Sequence, residues 1–183
     1  NDQRHVIFSQ RENAMNSNEI FNYSDDFLDE IIQNLIQLKK LKLSNTKNND
    51  FEIKLKSILG KNFEETELKT LSSSNEKEFK DQIFKKFQDS RENRTKLLGK
   101  DQAQDIEKRI FLQTIDMNWK SHIQYLEQLR QVIGLRAYGQ RDPLIEYKKE
   151  AFELFENLLN KLKLDFITIL INLKVIETPV EKR

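Results

Sequence analysis

The sequence predicts an all-α, elongated fold organised around a long antiparallel helical hairpin, and three observations carry that expectation. Turn-formers are scarce: 4 glycines and 2 prolines in 183 residues favour long helices over a many-stranded sheet. Leu112, Ile115, Trp119, His122, Leu126, Leu129 and Ile133 recur at alternating spacings of three and four, a seam for packing along a partner helix. A second stripe follows a short turn: Ala151, Phe155, Leu158, Leu162, Phe166, Ile169 and Leu173.

In chain order, residues 3–16 read as a helix whose apolar part is Val6, Ile7 and Phe8. The pattern loosens over 16–24. Ser24 then offers an N-cap, with Asp25 and Asp26 placing negative charge in the first turn. Leu28, Ile31, Leu35 and Leu38 give the following helix its apolar face. Lys39, Lys40 and Lys42 form a short basic cluster, read as a solvated face, with membrane-surface contact as the lesser alternative. Residues 44–50 are a polar loop. Phe51, Ile53 and Leu55 alternate as a strand would, but Leu55, Ile58 and Leu59 favour a short helix ending at Gly60. The segment from Thr70 to Asn75 is polar, and Ser73 with Glu76 makes a capping box ahead of a helix marked by Phe79, Ile83 and Phe87. Residues 91–102, RENRTKLLGKDQ, read as charged and loose.

The seam over 105–135 implies a rod of roughly 45 Å. The turn AYGQRDP (137–143) has Gly139 for backbone freedom, Asp142 as N-cap and Pro143 at the first helical position. A turn this short forces the two rods antiparallel, seam against seam. Pro179 and residues 181–183 read as a tail.

Charge and composition exclude several function classes. Lys plus Arg total 31 against 30 for Asp plus Glu, a formal net charge of +1, so nothing draws the whole chain to nucleic acid or anionic lipid. With no cysteine there is no disulfide, thiolate nucleophile or cysteine zinc site, which fits a reducing compartment. No apolar run approaches the roughly 20 residues of a membrane-spanning helix. The N-terminus has no signal-peptide pattern and begins inside an amphipathic stretch, which reads as a piece of a longer chain. His122 on the seam reads as a hydrogen-bonded interfacial histidine rather than a metal ligand, and Trp119 as a packing anchor. Asp116 and Glu127 are too far apart for a catalytic pair, and no nucleophile, base and oxyanion support occur together.

A rigid hairpin presents its tip far from its base. Arg130, Arg136, Arg141, Lys148 and Lys149 make that end locally basic, opposed by Asp142 and Glu146. Tyr138 lies in the turn itself. It reads either as a contact residue, since tyrosine is stiff and amphipathic, or as a ring folded back over the hairpin end.

LQTIDMNWKSHIQYLEQLRQVIGLRAYGQRDPLIEYKKEAFELFENLLNKLK (112–163) closely resembles the two-helix finger of the SecA family of preprotein translocase motors. NDQRHVIFSQR (1–11) resembles the later part of that family's long scaffold helix, in the right order. The resemblance divides the chain into the end of the scaffold helix (1–16), a helical wing (17–100), the two-helix finger (101–175) and a tail or linker (176–183). It implies that the chain couples ATP turnover elsewhere in a motor to the passage of unfolded preprotein through the SecY channel. Tyr138 matches the loop tyrosine that contacts the translocating chain, with Arg136, Gln140 and Arg141 beside it as candidate contacts. Where many relatives read I-H-L-R-G-Y-A-Q-K-D-P, this chain has IGLRAYGQRDP, so Gly134 replaces a histidine and the small residues around Tyr138 exchange places.

The G-x-x-x-x-G-K-[ST] phosphate loop is absent from the sequence, as are the helicase-like motifs and the cysteine-rich zinc tail. The fragment is therefore expected to hold no cofactor or metal and not to be an enzyme alone, with ATP and magnesium bound by the parent's nucleotide-binding domains. The implied location is the cytoplasm, with peripheral association at the inner membrane. Nucleic acid is not an expected partner, and exposed seams would allow a homodimer. The competing reading is a structural coiled-coil adaptor in which Tyr138 is replaceable.

Overall fold

The computed structural model of the chain describes residues 2–16, 19–44, 50–136 and 142–175, with side chains for all of these except 43, 44, 50 and 136. The described residues form helices α1 (Asp2–Asn16), α2 (Ile20–Ser44), α3 (Asp50–Leu59), α4 (Glu65–Ser73), α5 (Glu76–Leu98), α6 (Lys100–Arg136) and α7 (Pro143–Ile171), and contain no strand. The all-α expectation is met. The chain divides into two compact units: a hairpin unit, Asn1–Ile20 with Lys108–Phe166, and a cluster unit, Phe21–Glu107 with Ile167–Arg183.

In the cluster unit, α2 buries Leu28, Ile31, Ile32, Leu35 and Ile36. α3 contributes Phe51, Leu55, Ile58 and Leu59, and α5 contributes Phe79, Ile83 and Phe87. The Phe51 and Phe79 rings lie 6.0 Å apart. α3 ends where expected, because Gly60 donates its N–H to the Lys56 carbonyl and a Cβ there would sit 2.4 Å from that oxygen. Past α7, the Asn172 side chain donates to the Ile58 carbonyl at 3.0 Å, and Asn62 donates to the Ile171 carbonyl at 2.8 Å.

Several sequence expectations for this unit are corrected. α2 begins at Ile20, so Ser24, Asp25 and Asp26 lie in its second turn, past the capping position. Ser24 is wholly buried. Lys39 is not on a solvated face: it is buried, donates to the Leu71 and Ser74 carbonyls and stands 5.3 Å from the Phe79 ring centre. Burial lowers its pKa, against the opposing pull of Glu76 and Glu78. Lys40 and Lys42 do face outward, pairing with Glu76 and Glu52. Residues 70–73 are helical, and the cap of α5 is Asn75 rather than Ser73; its side chain accepts from the Glu78 N–H at 2.8 Å. The stretch 91–102 is not loose: α5 continues through Leu98, Gly99 turns with φ 85°, and α6 starts at Lys100. That φ favours glycine because a Cβ crowds the backbone there.

In the hairpin unit, contacts step backward along α7 as they advance along α6. The Phe111 and Phe166 rings lie 5.0 Å apart and those of His122 and Phe155 5.8 Å apart. Leu129 and Ile133 form a core cluster with Ala151, flanked by Leu126, Tyr147 and Leu154. The helices are therefore antiparallel, as expected. The α7 cap also holds: Asp142 Oδ1 accepts from the Leu144 N–H at 3.0 Å, and α7 opens at Pro143. Phe111, Thr114 and Asn118 join the buried stripe of α6, while Trp119 is half-buried. At the far end of α7, Ile169 is 44% exposed and Leu170 is buried, because steps of four from Leu162 through Phe166 arrive at 170. α1 buries only Ile7 and Ala14; Val6 and Phe8 are exposed.

Candidate functional site

The candidate site is the hairpin unit, its tip and the polar joints along its shaft; the cluster unit separately holds a buried ion cluster at the first turns of α6. Of the tip residues named from sequence, Tyr138, Gln140 and Arg141 lie outside the described residues. So does the side chain of Arg136, the last residue of α6. Nearer the shaft, Arg130, Lys148 and Lys149 are exposed, and so are Val132, Leu135, Leu144 and Ile145. The hairpin end thus offers both positive charge and apolar side chains to solvent.

Along the shaft, His122 is the centre of one joint. It is 3% exposed, its ring 5.5 Å from Trp119 and 5.8 Å from Phe155. Its Nε2 lies 2.9 Å from Gln3 Oε1 in α1, and Gln3 Nε2 donates to the Ala151 carbonyl in α7 at 3.2 Å. A carbonyl only accepts, so the Gln3 amide is oriented with its NH2 toward Ala151. Its oxygen then takes a proton from His122, which fixes the Nε2–H tautomer. Burial lowers the pKa of His122 and favours this neutral form. The expectation of a hydrogen-bonded interfacial histidine is borne out.

A second joint centres on Asn118, also buried. Its Nδ2 donates to the Thr114 carbonyl at 2.9 Å and to Asp165 Oδ2 at 3.2 Å, and its Oδ1 accepts from Lys161 Nζ at 3.2 Å. Lys161 also donates to Asp165 at 2.8 Å. Asp116 makes no catalytic pair with Glu127: it takes an ion pair from Arg11 of α1, 3.1 Å away.

In the cluster unit, Glu107 of α6 has a fully buried carboxylate. It accepts from Ser24 at 3.0 Å, from Arg91 at 3.0 Å and from Arg94 at 3.1 Å. Arg91 also donates to Asp25 at 2.8 Å, and its guanidinium sits 4.4 Å from the Phe21 ring centre and 4.8 Å from that of Phe87. Two cations thus meet two carboxylates from three helices. Burial lowers the Arg94 pKa, with Glu107 pulling the other way. Sequence reasoning missed Gln3, Asn118, Arg91, Arg94 and Glu107. A signal existed for two of them: Glu107 and Asn118 share the helical phase of Phe111, Ile115 and His122.

Among the described residues no three His, Cys, Asp or Glu side chains gather as a metal site would require, and no helix is long and apolar enough to cross a membrane. The two joints tie α1 and α7 to α6 at separate points along the shaft.

Comparison with known proteins gives this arrangement a context. The SecA Wing and Scaffold domain family matches residues 1–174. A protein translocase subunit SecA from Pelagibacter ubique is 64% identical over 181 residues, covering 99% of this chain and 21% of the relative. Those from Caulobacter vibrioides and Hyphomonas neptunium are 36% and 32% identical over 89% and 100% of the chain, which covers 18% and 20% of their lengths. The chain thus spans about one fifth of the curated relatives it matches. On that match over nearly its whole length, the chain belongs to the SecA wing and scaffold family.

Proposed function

We propose that this chain serves as the scaffold end, wing and two-helix finger of a SecA-type motor, passing ATP-driven movement to a preprotein in the SecY channel. On this reading residues 1–16 end the scaffold helix, 17–100 form the wing, 101–175 the finger and 176–183 a tail or linker. The observation that carries it is α1 bonded to both helices of the hairpin through Gln3, because a lever needs its shaft held by the element that drives it. ATP and magnesium sit on the parent's nucleotide-binding domains, so the fragment alone turns over nothing. The parent works in the cytoplasm and at the inner membrane surface. Tyr138 meets the moving chain, with Arg136, Gln140 and Arg141 beside it on the channel or on peptide carbonyls.

Site-specific photo-crosslinking tests this. A crosslinker is placed at position 138 of the full-length translocase with channel and stalled preprotein, and the control is placed at Ile53, exposed on α3. Crosslinks from 138 to preprotein or channel, and none from 53, are expected. Equal labelling from both, or none, sinks the contact role and leaves the coiled-coil adaptor in its place.

A further inference from the structure

α1 touches the hairpin through contacts of very different kinds. Its apolar contribution is Ile7 and Ala14 alone. Apolar contact is non-directional, so two such residues do little to resist axial sliding. The Arg11–Asp116 pair is bidentate, at 3.1 and 3.4 Å, but its side chains are 37% and 57% exposed and screened by solvent, and it ties α1 to α6 alone. Gln3 is different. One amide bonds α6 through the His122 ring and α7 through a main-chain carbonyl. Neither partner can follow α1 independently. The His122 ring is buried and packs against Trp119 and Phe155, and the Ala151 carbonyl moves only with its helix. A shift of one residue along a helix axis is about 1.5 Å, enough to stretch and misalign both hydrogen bonds.

We infer that Gln3 is the positioning residue that locks α1 in register with both hairpin helices, so that axial movement of α1 reaches α6 and α7 together. This rests on the reading of α1 as scaffold and the hairpin as finger. Gln3 touches neither nucleotide nor preprotein; it acts through His122 and Ala151.

The test uses the full-length translocase, with substitutions at the positions numbered here. Gln3→Leu keeps the side chain's bulk and removes both hydrogen bonds. The expected result is ATP hydrolysis at the wild-type rate with about tenfold less preprotein moved per ATP, the scale of one to two lost hydrogen bonds. His122→Phe preserves a ring against Trp119 and Phe155 and removes only the α6 half of the clip, so it should lower the same ratio by a smaller factor. The double variant should be no worse than Gln3→Leu alone, because both changes break one linkage.

An unchanged ratio in Gln3→Leu overturns the inference. So does a parallel fall in hydrolysis and transport, which marks a purely structural role, and so does an additive loss in the double variant. Tyr138→Ala, run alongside, separates the two levels. Normal transport by Tyr138→Ala removes the finger reading. Impaired transport by Tyr138→Ala together with an unchanged ratio in Gln3→Leu removes the clip and leaves the finger reading standing.

Discussion

The two units bury their polar groups for different ends. The cluster unit surrounds one fully buried carboxylate, Glu107, with two arginines and a serine, beside the Phe21 and Phe87 rings. The hairpin unit spaces single polar residues, Asn118 and His122, along an apolar seam. It leaves large apolar side chains in water: Met117, Leu135 and Ile145 are 71%, 72% and 64% exposed. A buried ion cluster resists opening, because removing Glu107 leaves the buried Arg94 cation without its carboxylate. A thin seam with isolated hydrogen-bonding residues specifies register at modest stability. The difference separates a unit that anchors the first turns of α6 from one whose helices are aligned along a seam.

The sharpest way to break this contrast is Glu107→Ala. It leaves Arg94, 3% exposed, and Arg91 facing each other without their shared carboxylate. The expected loss is about 3–5 kcal/mol of folding stability, read as a fall in the denaturant midpoint. A fall below about 1 kcal/mol would mean that the cluster behaves as a surface ion pair and that the contrast between the units is overdrawn.

How much of this was legible in the sequence differs between the units for the same reason. The hairpin could be read because its order is local: a seam of threes and fours, then Asp142 and Pro143 in cap and first-turn positions. Tyr138, Arg136, Gln140 and Arg141 came from the resemblance and from their place in the turn. The cluster unit was read poorly wherever a charged residue had a distant partner. Arg91 and Arg94 look like part of a solvated run until Glu107 is brought against them, and Ser24 looks like a helix cap until its hydroxyl is claimed by the same carboxylate. Local propensity treats such residues as surface, and only tertiary contact reverses that. Gln3 was invisible for a related reason: an amide carries no periodic signal, and its partners lie 119 and 148 residues away.

A smaller effect is expected on the seam. Leu158 is 7% exposed, whereas Leu126 is half-buried at the edge of the Leu129–Ile133–Ala151 cluster. Leu158→Ala should cost about 2–4 kcal/mol and Leu126→Ala about half of that, following the difference in buried volume. Equal losses in thermal melts of the two variants would place Leu126 inside the packed seam and thicken the hairpin core beyond what its burial indicates.

The smallest effect concerns acid. Burial holds the folded-state pKa of His122 below the ordinary imidazole value, which is about 6.5. As pH falls through that value the unfolded chain takes up its proton first, while the folded state still holds the ring neutral against Gln3. Stability therefore declines on acidification between the ordinary pKa and the lowered one, and levels off once both states are protonated. The slope from one such group cannot exceed about 1.4 kcal/mol per pH unit. His122→Phe removes the titrating ring, and His5 is present in both proteins and cancels in the comparison. Wild type should thus lose stability relative to His122→Phe as pH is lowered from about 7 to about 5, measured by denaturant unfolding at each pH. A difference that stays constant across that range would mean that the His122 site opens to water readily, and the joint would then be too loose to hold α1 in register.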